Sequence, residues 1–178
     1  MATSTLSLGS NAPAFNLKGA DGKNYSLNSF SGKNAVIVVF ACNHCPYVQA
    51  YEERIKQIQN DYAEHLQVVS INSNDDVKYP DDSFDEMVKR AEKKQFNFPY
   101  LRDKDQNAAK AYGATHTPEI FLLDSKRKLV FHGKVDDNWQ DESSVRSKYL
   151  RNALDELLAG KPISVPETFT IGCTIKWK

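Results

Sequence analysis

The chain has 178 residues, enough for one domain to bury a substantial hydrophobic core without disulfide or metal staples. Basic and acidic residues are equal at 23 each, so the charge balance supports neither a nucleic-acid partner nor an anionic membrane. Residues 1–9 show no secretory-signal pattern, and no run of about 18 apolar residues occurs. We therefore expect a single cytoplasmic domain over residues 1–178, in which residues 163–178 form an extended tail.

Short extended segments at residues 15–17 and 25–27 flank an Asp-Gly turn signal and predict a small amino-terminal hairpin. Residues 35–40 form a continuous apolar run rich in valine and isoleucine, which is typical of a central strand buried on both faces. Over residues 47–62 the apolar positions recur every three or four residues. That spacing predicts an amphipathic helix directly after the central strand.

A second buried strand is predicted at residues 66–71, followed by a polar loop over residues 72–82. Ser83 opens a capping box, which indicates the start of a second helix. Asp105 is positioned to cap a shorter helix that Gly113 closes. This alternation of strands and helices predicts parallel strands joined through helices.

Strands predicted at residues 119–123 and 128–132 are separated by a short turn, which indicates an antiparallel hairpin. A last helix is expected over residues 142–159. The element order therefore predicts a mixed sheet covered by helices. In the tail, residues 169–177 alternate between apolar and polar, which predicts a half-buried extended segment with Cys173 on its apolar side.

Two of the three cysteines, Cys42 and Cys45, stand close together at the predicted junction of strand and helix. An odd cysteine count with uneven spacing argues against a secreted disulfide framework. With Cys42 at the helix amino terminus and Cys45 one turn further in, the sulfurs can bond, and the helix dipole should lower the pKa of Cys42. Pro46 fits the first helical turn. His44, when protonated, would stabilise the thiolate and make the pair more oxidising.

The Cys-Asn-His-Cys motif at residues 42–45 and the downstream Thr117-Pro118 resemble the thioredoxin superfamily. With the opening segment 9–15, the chain resembles more closely the redoxin branch, which includes membrane-tethered cytochrome-maturation thioredoxins and alkyl hydroperoxide reductases. The resemblance covers about residues 8–160. It implies a thioredoxin-like three-layer α/β fold with a central mixed sheet and an added amino-terminal hairpin. It also implies that Pro118 is cis and borders the active site, and that Thr117 offers its backbone to substrate.

The resemblance implies a thiol-disulfide oxidoreductase without a cofactor or a bound metal. Cys42 is the expected nucleophile, Cys45 the resolving thiol and His44 an electrostatic modulator. Cys42 would attack a substrate disulfide, and Cys45 would then resolve the mixed disulfide. The expected partners are a dithiol electron-donor protein and a disulfide substrate, either a protein or a small molecule.

Other functions stay open. Thiol peroxidases of this branch carry Pro-x-x-x-Thr-x-x-Cys, but the chain has alanine and valine at those positions before Cys42, and valine and cysteine before Cys45. The two thiols with His116 or His44 could instead bind Cu(I) or Zn(II), although no second Cys-x-x-Cys completes a zinc set. A redox-inactive binding module is the remaining alternative.

The sequence also bears on the proton acceptor of Cys45, on Cys173 and on residues 136–139. Thioredoxins usually have a tryptophan before the first cysteine and a buried acid in the preceding strand, whereas Ala41 and apolar residues stand here, so Cys45 has no assigned proton acceptor. Cys173 is interpreted as a small packing residue in preference to a resolving or regulatory thiol. Residues 136–139, Asp-Asp-Asn-Trp, are interpreted as a solvated turn with one anchoring ring in preference to a substrate-contacting loop.

Overall fold

The computed structural model describes residues 6–178; residues 1–5 of the amino-terminal segment, where no leader pattern was expected, lie outside it. A seven-stranded sheet is built around β3 (Ala35–Ala41), in which every residue is buried because both faces of the strand are covered. The strands β4 (Leu66–Asn72) and β5 (Tyr100–Arg102) continue this sheet in parallel. The central strand predicted from the apolar run is thereby confirmed.

Antiparallel strands complete the sheet on both sides. β7 (Glu119–Leu123) pairs with β3 and with β8 (Leu129–Gly133), which confirms the predicted downstream hairpin. On the other side, β1 (Asn16–Gly19) pairs with β5 and with β2 (Asn24–Ser26), which confirms the amino-terminal hairpin. The strand order is β2-β1-β5-β4-β3-β7-β8, the mixed sheet expected from the element order.

Helices cover both faces and give the three layers. The helices α1 (Pro46–Asp61) and α4 (Tyr149–Leu158) pack on the face of β3 that carries its odd-numbered residues. The short helix α3 (Asn107–Tyr112) packs on the face with the even-numbered residues. α2 (Phe84–Lys93) begins at the predicted cap, where the Ser83 hydroxyl accepts a hydrogen bond from the Glu86 N–H. No helix within residues 6–178 is long and apolar enough to span a membrane.

The last helix is shorter than predicted. Residues Glu142–Ser144 form a separate 3-10 turn capped by Asp141, and the α-helix starts only at Tyr149. The Asp137 carboxylate accepts a hydrogen bond from the Arg146 N–H at 3.0 Å, which holds the intervening segment in a non-helical path. A side-chain contact of this kind competes with helix formation and is not visible in the apolar periodicity.

The cap of the short helix was assigned to the wrong aspartate. Asp103, not Asp105, accepts hydrogen bonds from the N–H groups of Ala108 and Ala109, at 3.2 and 3.0 Å. The predicted end at Gly113 is confirmed, because this glycine adopts φ 67° at the C-cap. Asp103 directly follows β5, a strand of three residues whose apolar pattern is too short to recognise.

The tail returns across the molecule to the end of the sheet where Cys42 lies. β9 (Cys173–Thr174) pairs antiparallel with β6 (His116–Thr117) in a separate two-stranded sheet. The predicted alternation in the tail is only partly correct: Ile175 is 3% exposed, whereas Phe169 is 91% exposed. The tail is therefore most deeply buried just after β9, whereas Phe169 before it is exposed.

Candidate active site

Cys42 and Cys45 lie between β3 and α1. Cys42 directly follows the strand, and Cys45 is the N-cap of the helix, with Pro46 at the first helical position as predicted. The prediction that Cys42 marks the helix amino terminus and Cys45 lies one turn inside was wrong. Because the helix begins at Pro46, its free N–H groups lie beside Cys45, and the Val48 N–H lowers the pKa of Cys45.

The two thiols are in contact and buried. Cys42 is 2% exposed and Cys45 is fully buried, and both are free thiols. The Cys42 thiol donates a hydrogen bond to the Cys45 sulfur. The pair is therefore close enough to link covalently, as the interpretation of the motif requires, but a partner protein does not reach it in this arrangement.

Thr117 contacts both sulfurs. Its hydroxyl oxygen lies 3.5 Å from the Cys42 Sγ, and its carbonyl oxygen accepts a hydrogen bond from the Cys45 thiol at 3.3 Å. The Thr117–Pro118 peptide bond is cis, as the resemblance implied. Pro118 also lines a small cavity of about 20 Å³ with Trp139 and Ile171, about the volume that one water molecule occupies. The structure thus brings the predicted Thr-Pro pair to the cysteine motif.

A buried carboxylate supports the loop that carries Thr117. One oxygen of Glu119 accepts hydrogen bonds from the N–H groups of Thr115 and His116, at 2.7 and 3.0 Å. Its other oxygen lies 2.7 Å from Nε2 of the buried His132. A buried carboxylate with both oxygens paired holds a loop rigidly in a low-dielectric interior. His116 itself lies at the rim of the site, in β6.

A second buried carboxylate fixes the loop between the cysteines. Asp82 is fully buried and accepts hydrogen bonds from the Asn43 N–H at 2.7 Å, from Asn72 Nδ2 at 3.1 Å and from Asn74 Nδ2 at 2.9 Å. His44 Nδ1 lies 2.8 Å from the same carboxylate. Both oxygens are thus satisfied. A buried acid is present beside the motif, but it comes from a loop and not from the preceding strand.

His44 interacts with Asp82 and not primarily with the thiols. Its ring is also stacked on Tyr79, with 6.2 Å between the ring centroids. A proton on His44 would be balanced mainly by the adjacent carboxylate, so its field at the sulfurs is weaker than predicted.

The described residues contain one group of side chains that could hold a metal, formed by Cys42, His44 and Asp82, whose donor atoms lie within 4.8 Å of one another. This set differs from the predicted sets, which combined both thiols with a histidine. The Asp82 oxygens already accept four hydrogen bonds, and a carboxylate is a poor ligand for Cu(I). The donors therefore fit a metal poorly.

The hydrogen bond between the two thiols shifts their pKa values in opposite directions. The hydrogen bond from the Cys42 thiol lowers the pKa of Cys45 against the penalty of burial, and the Cys173 thiol and the Val48 N–H lower it further. The same hydrogen bond to Cys45, with burial and the nearby Asp82 carboxylate, raises the pKa of Cys42. The predicted lowering for Cys42 was wrong, because the helix amino terminus serves Cys45. The two thiols are coupled, so the ionisation of one affects the pKa of the other.

The sequence interpretation missed the polar residues around Cys42. Residues 72–75 were assigned to a polar loop, but all four are buried. One signal could have found them: carboxyl ends of parallel strands meet at the same edge of a sheet, so Asn72 at the end of β4 must lie near Cys42 at the end of β3. The Asp82 contact depends on a fold of the loop that no local pattern shows.

The turn after β8 is not solvated as predicted. Asp136 is buried and accepts hydrogen bonds from the Arg54 guanidinium at 2.8 and 3.0 Å and from the Tyr51 hydroxyl at 2.8 Å. The expected anchoring ring is present, since Trp139 packs on Tyr47 with 4.3 Å between ring centroids. The turn is therefore fixed to α1, near the cavity at Pro118.

The chain matches the family model Redoxin over residues 7–149. A hypothetical protein from Sinorhizobium meliloti is 38% identical, with a TM-score of 0.92, and the match covers 98% of this chain and 97% of that one. An uncharacterized conserved protein from Geobacillus kaustophilus is 39% identical, with a TM-score of 0.91 and coverage of 97% and 93%.

The fold extends to more distant structures. The thioredoxin domain of a thiol-disulfide oxidoreductase from Bacteroides vulgatus is 22% identical, with a TM-score of 0.61, and the match covers 72% of this chain and 89% of that one. Among curated proteins, none matches the chain. The thioredoxin-like α/β fold is confirmed. The chain belongs to the redoxin family.

Proposed function

We propose that this redoxin is a thiol-disulfide oxidoreductase that reduces disulfides through Cys42 and Cys45. The observation that carries the proposal is the contact between two free thiols beside the cis-proline loop. Sulfurs in hydrogen-bond contact need only a small movement to form a disulfide of normal geometry. The reaction requires no cofactor and no metal.

The hydrogen bond from the Cys42 thiol to the Cys45 sulfur gives Cys42 a route to become the nucleophile. As Cys42 attacks one sulfur of a substrate disulfide, its proton passes along the hydrogen bond to the Cys45 thiolate. The substrate S–S bond breaks, a Cys42–substrate disulfide forms, and the first substrate sulfur leaves and takes the proton from Cys45. Cys45 then attacks the Cys42 sulfur, the second substrate sulfur leaves with its electron pair, and the Cys42–Cys45 disulfide remains. Cys45 thus serves as proton acceptor and as resolving thiol.

Neighbouring groups position this chemistry. The Thr117 hydroxyl, 3.5 Å from the Cys42 Sγ, can donate to the thiolate that develops on Cys42. Asp82 positions the loop between the cysteines through the Asn43 N–H, and it disfavours a lasting negative charge on Cys42. The negative charge therefore returns to Cys45 unless Cys42 forms a bond with a substrate sulfur.

The reaction defines the partners of the protein. A dithiol protein would return two electrons to the Cys42–Cys45 disulfide, and the substrate would be a disulfide of a protein or a small molecule. We also propose that the protein works in the cytoplasm, where free thiols such as Cys42, Cys45 and Cys173 stay reduced.

Reduction of insulin, followed as turbidity with a dithiol donor, tests the proposed function. Wild type should accelerate it, and Cys42→Ser should abolish the acceleration while the variant keeps its circular dichroism spectrum. His65→Gln is the control, because His65 lies at the opposite end of the sheet, where it contacts Asn34. Equal rates for wild type and Cys42→Ser would reject the assigned role of Cys42.

Two further measurements separate the alternative functions. Rapid consumption of hydrogen peroxide with a sulfenic acid on one cysteine, and no insulin reduction, would show a peroxidase and reject the proposal. Elemental analysis of the freshly purified protein with near-stoichiometric copper or zinc would indicate a metal carrier instead. The proposal predicts slow peroxide consumption and no bound metal.

A further inference from the structure

The carboxyl-terminal tail occupies the backbone edge that the resemblance assigns to substrate. In the pairing of β6 with β9, Thr117 lies opposite Cys173. The Ile175 N–H donates to the Thr115 carbonyl oxygen at 2.9 Å, which extends the pairing. A Cβ at Gly172 would overlap the Thr117 carbonyl oxygen, so this close approach requires glycine. The tail is therefore fitted to this edge.

Contacts on either side of β9 hold it in place. Before it, the Thr168 N–H donates to the His132 carbonyl oxygen at 3.0 Å, and the Thr168 hydroxyl accepts from the Lys134 N–H at 2.9 Å. After it, the Lys176 N–H donates to the Asn74 Oδ1 at 2.9 Å. The segment that carries the third cysteine is thus fixed from both ends, and its sulfur has a defined position.

That position brings the third sulfur to the redox pair. Cys173 packs against the apolar cluster that contains Cys42 and Cys45, and it pairs with Thr117, whose carbonyl oxygen lies 3.3 Å from the Cys45 Sγ. Both Cys173 and the Cys42 thiol lower the pKa of Cys45. Cys45 is therefore the central sulfur of three. Cys173 is also the most exposed of the three cysteines, since it is only partly buried. The interpretation of Cys173 as a packing residue does not account for these contacts.

We propose that Cys173 is a third redox thiol, which forms an alternative disulfide with Cys45 while β9 remains paired with Thr117. The step starts from the Cys42–Cys45 disulfide that the proposed reaction leaves, so the inference rests on the proposed function for this starting state. Cys173, as its thiolate, attacks the Cys45 sulfur; the Cys45–Cys173 bond forms as the Cys42–Cys45 bond breaks. The electron pair leaves on Cys42, which takes up the proton that Cys173 lost, so the exchange consumes no oxidant or reductant.

The position of the disulfide then decides whether the tail can leave. In the Cys42–Cys45 form, β9 is held by hydrogen bonds and side-chain packing and can open locally. In the Cys45–Cys173 form, a covalent bond locks β9 on the Thr117 edge and frees the Cys42 thiol. An extended peptide substrate cannot pair with Thr117 in that form. Cys173 thus converts the oxidised protein into a closed state without further electron transfer.

Disulfide mapping in serine variants tests this proposal directly. Each folded protein is equilibrated with glutathione disulfide, quenched with acid, digested and analysed by mass spectrometry without reduction. Cys42→Ser should yield the Cys45–Cys173 link, Cys173→Ser the Cys42–Cys45 link, and Cys45→Ser neither link. The proposal would be overturned if Cys42→Ser yielded glutathione adducts and no Cys45–Cys173 link. It would also be overturned if the Cys42–Cys173 link in Cys45→Ser were as abundant as the Cys45–Cys173 link in Cys42→Ser.

A glycine pair controls for altered folding of the serine variants. In the Cys42→Ser background, Gly172→Ala should lower the yield of the Cys45–Cys173 link at least roughly tenfold, because the new Cβ pushes β9 away from Thr117. Gly32→Ala should not change the yield, since a Cβ there meets no atom within 4 Å. Equal yields in both variants would show that the β6–β9 pairing does not present Cys173.

The outcomes distinguish this inference from the proposed function. If wild type does not reduce insulin but Cys42→Ser still forms the Cys45–Cys173 link, only the proposed function is rejected. Insulin reduction through a Cys42–Cys45 disulfide, with no link to Cys173 in Cys42→Ser, would reject this inference alone.

Discussion

Cys42 and Cys45 belong to one motif and touch each other, yet their surroundings are opposite. Beside Cys42 lies a fully buried network centred on Asp82, which is fixed and negatively charged. Beside Cys45 lie the start of α1 and the thiol of Cys173 on β9, which lower its pKa, and the Thr117 carbonyl oxygen at 3.3 Å. The pKa of each thiol therefore depends on the neighbouring groups that distant segments supply, and not on the order of the cysteines in the motif.

Disrupting the Asp82 network beside Cys42 should have the largest effect on the protein. Asp82→Asn removes the charge and leaves donors facing an amide that can accept fewer hydrogen bonds, so we expect a loss of about 3 kcal/mol in the free energy of unfolding. Urea unfolding measures this loss. The adjacent, exposed Asp81→Asn is the matched control and should change stability by less than about 0.5 kcal/mol. Similar stabilities of the two variants would mean that the Asp82 network does not hold the loop.

Loosening the Cys45 side should instead increase access to the thiols. Ile175→Ala removes a buried anchor next to β9, so tail opening should become easier, and the reduced pair should be alkylated by iodoacetamide roughly tenfold faster. Val165→Ala, at an exposed position of the same tail, is the control. An unchanged alkylation rate in Ile175→Ala would indicate that the tail does not limit access.

The pH dependence of the free energy of unfolding tests the difference between the two cysteines. The folded state lowers the pKa of Cys45, so the reduced protein gains stability as pH rises towards the ordinary thiol value of about 8.5 and loses it as pH falls towards the folded value. Relative to Cys45→Ser, the free energy of unfolding should rise by up to about 1.4 kcal/mol per pH unit below that value. Parallel curves for the two proteins under reducing conditions would contradict the lowered pKa.

The smallest effect is expected at His44. Its imidazole is paired with Asp82, so His44→Gln should change the insulin reduction rate by less than about threefold. His65→Gln gives the reference for a histidine away from the site. A loss of more than roughly tenfold would restore the direct modulating role that the sequence suggested.

The sequence predicted the parts of the fold that depend on strong local patterns. The apolar runs at residues 35–40 and 66–71 are unambiguous because their strands are covered on both faces. The site was predicted as far as Cys42, Cys45 and Pro118, where a motif and a resemblance combine. These elements needed no knowledge of how the loops and the tail fold.

The remaining features depend on long-range contacts. Asp82 reaches Asn43 through the path of a loop, and Cys173 reaches Cys45 only because the tail crosses the molecule to pair with Thr117. Neither contact leaves a periodic signal in the sequence. The pKa order of the two thiols depends on these same contacts, which explains why the motif alone predicted it incorrectly.

Ultraviolet titration of the thiolates in the reduced protein tests most directly which sulfur carries the charge. Wild type should show one thiolate that ionises well below the ordinary thiol pKa of about 8.5. Cys42→Ser should retain this thiolate, because the serine hydroxyl still donates to Cys45, whereas Cys45→Ser should lose it. A low-pH thiolate that persists in Cys45→Ser and disappears in Cys42→Ser would contradict the account.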